Sequence, residues 1–216
     1  SSQPAALMFA KLRLPILGAR NEWLAIRHLE KIGVATMTLA AWGERGRNPA
    51  RQQSFVITHE LSDCISLEDL AKQWQQSPPT PRFRRAIIHE LARISRLMHA
   101  SGMNHRDYYL CHFLLPRAQL GAANVRLHLI DLHRVQLRAQ VPRRWQEKDL
   151  AGLYFSALDA GFSRRHLLRF IRLYECRPLS QCDDALWRAV EQKARRLYRK
   201  DFGREPTTAA YLESRT

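Results

Sequence analysis

Apolar positions recur along this chain with two periods, and the switches between them mark its elements. Residues 21–31 carry Trp23, Ile26 and Leu29 at helical spacing, Ile32 continues the stripe, and Gly33 stands where such a helix ends. Residues 36–42 and 54–61 read as strands, with the polar run 43–49 between them as a turn or loop. Ser66 reads as a helix cap, with Asp69 three residues on as an imperfect capping box and Leu67, Leu70 and Trp74 facing inward. The run SPPTP at residues 77–81 is the strongest break in the chain. A long amphipathic helix follows, carrying Phe83, Ile87, Leu91, Ile94 and Met98 and ended by Gly102.

Beyond Gly102 the pattern shortens. Val125, Leu127 and Leu129 alternate with Arg126 and His128, which predicts a short strand leading into Ile130 and Asp131. From Lys148 onward the chain reads as helical, with clear helices over 164–174 and 183–199, while Trp145 and Tyr154 read as core. The fold class is α+β. A small helix-and-strand unit at residues 1–62 precedes a mostly helical unit at 63–216, and the two are joined near residues 61–66.

Composition agrees with a folded protein: 216 residues, 45% apolar, suffice for one large domain or two small lobes sharing a core. No apolar run approaches the ~18 residues of a membrane span, and no secretory signal is evident, which points to the cytoplasm. Cys64, Cys111, Cys176 and Cys182 are scattered without a CxxC pair and read as reduced thiols. Charge changes the picture more. The net charge is +15, and guanidinium groups dominate the basic residues, so anionic partners are expected: nucleic acid, anionic lipid or a phosphorylated sugar. A solvated Arg-rich face is the alternative. Zinc-finger spacing, helix-turn-helix punctuation and aromatic RNA-binding motifs are absent, so nucleic acid is the weakest of these partners.

Two segments carry types suited to phosphoryl transfer. One is His105-Arg106-Asp107, directly after the long helix; the other is a strand ending in Asp131. Transfer needs one carboxylate to take the proton of the attacking hydroxyl and a second to hold Mg²⁺ against the phosphates. Helix, His-Arg-Asp loop, apolar strand and Asp, in that order, is how protein kinases supply the pair. The triplet alone is weak; its setting strengthens it. The bland readings are that Asp107 and Asp131 cap turns, Glu22 lies on a surface, His105 is packed and Arg106 pairs with an acid. His105, Asp107, Cys111, His112 and His133 are metal-ligand types, but they lack zinc-site spacing.

The segments GMNHRDYYLCHFLL (102–115) and IDLHR (130–134) resemble the lipopolysaccharide core heptose kinases of Gram-negative bacteria. LPILGARNEW (14–23), VPRRW (141–145), KDL (148–150) and SAL (156–158) add to the match, which runs from about residue 8 to about residue 200. The similarity is greatest to the heptose(I) kinase family. That resemblance implies a protein-kinase-like two-lobed fold, ATP and Mg²⁺ as cofactors, and an inner-core heptose hydroxyl as acceptor. It implies Asp107 as base, Asp131 as Mg²⁺ ligand and Glu22 as the helix carboxylate that pairs with a strand lysine. Thr58, His59, Glu60 and Leu61 become the adenine-binding hinge, and Asp149 a brace for the catalytic loop, with His105 structural beside it. Arg106, Arg143, Arg144 and Lys148 are placed to grip an anionic acceptor, a solvated basic face being the alternative for the last three. The lipid-linked acceptor puts the enzyme at the cytoplasmic face of the inner membrane, against an anionic surface, and an acidic protein is a further admissible partner.

Two departures stand out. His112 occupies the position where protein kinases place a metal-binding Asn, and imidazole suits Mg²⁺ poorly, so phosphate contact or bracing of the loop is expected of it. No glycine-rich phosphate loop or strand lysine precedes Glu22, where Lys11 is the only lysine. The expectation is an N-terminal lobe lacking its first segment, and weak nucleotide binding by the chain as it stands. The alternatives are another sugar or small-molecule kinase of the same fold, and a basic scaffold or binding module without turnover.

Overall fold

The computed structural model describes residues 19–46, 53–74 and 76–207. Lys11, the first part of the 14–23 motif and residues 47–49 of the expected loop lie outside these residues. The order is α1 (Ala19–Lys31), β1 (Leu39–Arg45), β2 (Gln53–Thr58), β3 (Cys64–Ser66), α2 (Leu67–Gln73), α3 (Pro81–Ala100), β4 (Met103–Asn104), β5 (Phe113–Pro116), β6 (His128–Leu129), β7 (Gln136–Leu137), α4 (Arg143–Ala157), α5 (Arg164–Glu175) and α6 (Asp184–Phe202). The α+β class is as expected.

The first unit is α1 packed on an antiparallel β1–β2 ribbon. Ala25, Ile26 and Leu29 of α1 are fully buried, and Trp23 stacks on Trp42 of β1 with ring centroids 4.7 Å apart. The first strand lies three residues later than its expected position. Residues 34–36 run extended but pair elsewhere: Leu129 N–H donates to the Ala35 carbonyl at 2.9 Å, and Thr36 Oγ1 donates to the Leu129 carbonyl at 2.6 Å. Gly43, read as loop, lies inside β1 because the Phe55 ring covers the spot a Cβ would fill. β2 ends at Thr58, short of the expected Leu61; His59 N–H still reaches the Thr38 carbonyl at 2.8 Å.

Ser66 caps α2 as expected. Its Oγ accepts from Asp69 N–H at 3.1 Å and donates to the Asp69 carboxylate at 2.8 Å. Thr80 caps α3, with Pro81 in the first turn where no donor is needed. α3 buries Phe83, Ile87, Leu91, Ile94 and Met98, the five residues its periodicity pointed to. β3, β5 and β6 form a small antiparallel sheet behind the catalytic loop, and β4 pairs with β7. The strand before Asp131 is only two residues long, shorter than the alternation at 125–129 suggested. α3 packs along α5 and α4 along α6. α4 begins at Arg143 rather than near Lys148, with Pro142 as its N-cap.

Gly102 shows what this region demands. Its φ is +83°, and a Cβ there would stand 1.9 Å from the Arg138 carbonyl oxygen. Only glycine allows α3 to end and the chain to turn into β4 beneath β7.

Candidate active site

The His-Arg-Asp loop leaves β4 and is gripped by one face of α4. Asp149 is fully buried and accepts from His105 N–H at 2.6 Å and Arg106 N–H at 2.8 Å. One turn on, Gly152 lies against the Tyr108 carbonyl, which a Cβ would meet at 3.0 Å. A further turn on, Ser156 Oγ accepts from Leu110 N–H at 2.9 Å. These positions fall at i, i+3 and i+7, a single helical stripe. Arg106 is held with φ +80°, a conformation that costs a non-glycine residue about 1 kcal/mol, which the two hydrogen bonds to Asp149 sustain.

His105 is fully buried, and burial pushes its imidazole below the ordinary histidine range. Nε2 donates to the Ile130 carbonyl at 3.0 Å, while Nδ1 has no partner among the described residues. The ring ties the His-Arg-Asp loop to the strand before Asp131.

Asp107 is accessible, and both of its carboxylate oxygens accept from Arg134 Nη1, at 2.9 and 2.8 Å. Asp131 sits in the left-handed region at φ +61°. Its carboxylate faces His133, to which it makes a short hydrogen bond, and His112 Nε2 at 3.2 Å. His112 Nδ1 donates to the Asp107 carbonyl at 2.6 Å. The imidazole in the usual Asn position therefore spans the two loops, from the Asp107 backbone carbonyl to the Asp131 carboxylate. Glu22, on α1, comes close enough for Asp131 and His133 to influence it; burial first, then the Asp131 charge, raise its pKa, with His133 opposing.

The remaining candidates divide. Arg106, Arg144 and Lys148 gather around Trp145, which is half-buried beneath their charges rather than core as expected. Arg143, from the same helix, is drawn away by a short hydrogen bond to Asp183 and a 3.3 Å contact with Glu147. Thr58, His59, Glu60 and Leu61 follow one another out of β2 at the edge of the first unit; His59 N–H is already used by Thr38. Sequence reasoning did not assign a role to Arg134, His133, Gly152, Ser156 or Arg138. For Arg134 and His133 the signal was their place directly after Asp131; for Gly152 and Ser156 it was helical spacing from Asp149.

Among the described residues no three His, Cys, Asp or Glu side chains form a metal-holding group. Mg²⁺ asks for less: one or two carboxylates beside substrate phosphates and water, for which Asp131, partly open to solvent, is suited.

A carboxylate on a loop after a long helix, a second carboxylate after the following strand, and a glutamate on α1 near the second fit a class: phosphotransferases of protein-kinase-like build. The chain matches the Lipopolysaccharide kinase (Kdo/WaaP) family over residues 8–174. It is 52% identical over 192 residues to the lipopolysaccharide core heptose(I) kinase WaaP of Pseudomonas aeruginosa, covering 87% of this chain and 72% of that protein. The protein of the same name from Escherichia coli is 45% identical over 190 residues, covering 86% and 72%, and that of strain K12 is 47% identical over 169 residues, covering 78% and 64%. Among solved structures, WaaP in complex with acyl carrier protein superposes with a TM-score of 0.78 at 52% identity, covering 84% of this chain and 77% of that one. The chain belongs to the lipopolysaccharide kinase (Kdo/WaaP) family, and it is a kinase.

Proposed function

We propose that this chain transfers the γ-phosphoryl group of ATP to a hydroxyl of a heptose in the lipopolysaccharide inner core. The observation that carries this reading is the bridge of His112 from the Asp107 backbone carbonyl to the Asp131 carboxylate, on a chain about half identical to heptose(I) kinases. Asp107 orients the heptose hydroxyl and takes its proton as the oxygen–phosphorus bond forms and the bond to the β-phosphate oxygen breaks, releasing ADP. Arg134, now on Asp107, lies where charge on the transferring phosphoryl group develops. Asp131 would hold Mg²⁺, which neutralises phosphate charge when bound. Glu22 supports that end of the site from α1, and Glu60 and Leu61, just past Thr58 and His59, supply backbone for adenine. Residues up to Ser62 then act as the N-terminal lobe and those from Asp63 as the C-terminal lobe.

Asp107→Asn tests the assignment. Turnover with ATP and a heptose-bearing acceptor should fall by roughly 10²–10⁴-fold while the thermal midpoint stays close to that of the parent. Near-parental turnover removes Asp107 from the role of base.

The neighbour solved with acyl carrier protein supports an acidic protein as partner here too. A cleft of about 860 Å³ between α3 and α5 suits such a partner, or the anionic leaflet on which a lipid-linked acceptor resides. It is lined by Arg82, Arg85, Arg169 and Arg172; its one acid, Glu90, is already taken by Arg93 at 2.6 Å. No helix among the described residues is long and apolar enough to cross a membrane, so contact with a bilayer through this helix pair is peripheral. Binding through the cleft should weaken steeply with salt and with Arg85→Glu.

A further inference from the structure

Trp145 carries four cations. The guanidinium carbons of Arg106, Arg138 and Arg144 lie 5.2, 5.7 and 5.4 Å from its ring centroid, and Lys148 Nζ lies 5.5 Å from it. Four like charges around one ring repel one another, and a bound anion would relieve that repulsion. Burial, then the charges of Arg144 and Arg106, already hold the Arg138 guanidinium below its ordinary range. Arginines close by do find acids: Arg134 takes Asp107 and Arg143 takes Asp183. None of the four cations around Trp145 pairs with a carboxylate among the described residues.

The cluster is also built and rigid. Arg106 is fixed by Asp149 through its backbone, and Arg138 is held by Asn104 and by Gln136 Oε1 at 2.5 Å. Three N–H groups of these residues, Arg106 Nε, Asn104 Nδ2 and Trp145 Nε1, are buried without an acceptor. Buried donors without partners are rare in proteins, and a bound ion is one of the ways in which they are satisfied. Arg106 adjoins Asp107 in the chain, and Lys148 lies within the field of the Asp107 carboxylate.

We infer that this cluster binds a second anionic group of the acceptor, a carboxylate or a phosphate monoester carried near the hydroxyl that Asp107 faces. It rests on the Asp107 reading above and deepens it: the acceptor is recognised by a pre-existing charge beside the reacting sugar. Guanidinium forks on one rigid platform match either anion bidentately. Arg138 and Trp145 are the specificity-determining residues this adds.

The test has two arms, both on the full chain with an Arg138→Gln/Arg144→Gln variant. In the first, thermal midpoints are compared in sodium phosphate and in sodium chloride at equal ionic strength, without nucleotide or acceptor. The parent should be stabilised by phosphate relative to chloride, and the variant should lose that difference. In the second, an inner-core oligosaccharide is compared with its carboxyl-reduced and dephosphorylated forms. The variant should raise KM for the intact acceptor by roughly tenfold or more. The parent should show the same rise on whichever treatment removes the recognised group, which separates carboxylate from phosphate. An unchanged phosphate effect in the variant, with unchanged KM for every acceptor, overturns the inference. Should the double variant fail to fold, Arg144→Gln, at an exposed position, is measured the same way. If no heptose acceptor turns over even with the parent, the proposed function fails while the first arm still decides whether the anion site exists.

Discussion

Glu22 sits half-buried on α1, and burial together with the nearby Asp131 holds its pKa above the usual glutamate range. An acid with a raised folded pKa disfavours folding once it ionises, so the stability it allows is complete below about pH 4.5 and declines as the pH rises through the folded value. Glu22→Gln should therefore raise the thermal midpoint at pH 7 by about 1–2 °C, the scale of a sub-kcal/mol change in a chain of this length, and by nothing at pH 4. The same variant should lose activity if Asp131 holds the metal as proposed, because Glu22 lies within the influence of Asp131. A midpoint lowered at pH 7 would show that Glu22 has a stabilising partner instead. At this scale the sequence singled out Asp107, Asp131, His105 and His112 as candidates through their setting. It did not disclose that Arg134 would clasp Asp107, because one arginine among many carries no mark of its partner.

α4 is the element on which the site depends. Its stripe of Asp149, Gly152 and Ser156 supplies an acceptor for two loop amides, space for the Tyr108 carbonyl, and an acceptor for Leu110 N–H. Asp149→Ala leaves two buried N–H groups and removes the support of a left-handed Arg106, at a cost of about 3 kcal/mol. Urea unfolding should read that loss directly, and Asp149→Asn, which keeps one acceptor oxygen, should lose less. Equal losses in the two variants would mean that the negative charge, not the pair of hydrogen bonds, holds the loop. The same helix sends Arg144 and Lys148 to Trp145 and Arg143 to Asp183, so neighbours in sequence serve different ends. A basic run reads as one patch until the helix divides it.

Across the molecule, histidines shape the response to acid. His28, His105, His128 and His166 all have pKa values held below the ordinary 6.5, burial being the first cause in each. A depressed histidine contributes stability that is present above its unfolded pKa and is lost as the pH falls toward the folded value. Stability should thus fall from about pH 6.5 downward, before the carboxylates begin to titrate. Asp159 adds a later stage: burial opposes ionisation, but Thr207, Tyr198 and Arg204 hold it at about 2, so its share disappears only below the usual aspartate range. Urea midpoints from pH 7.5 to 5 check the first stage, with His105→Gln flattening part of the slope. A midpoint constant to pH 5 would contradict it.

The α+β class, the cap of α2, the buried stripe of α3 and the family resemblance were legible in the sequence, because each rests on spacing or order within short segments. Helical periodicity and capping are local, and a resemblance reads the same residues in the same order. What tertiary structure alone decided is where long-range partners pull the chain. Thr36 leaves the expected first strand for β6; Trp145 leaves the core to sit under four charges; Arg143 goes to Asp183; Asp149 reaches back more than forty residues to the His-Arg-Asp loop. Such contacts depend on which surfaces the packing brings within hydrogen-bond reach, and no periodicity along the chain encodes that distance.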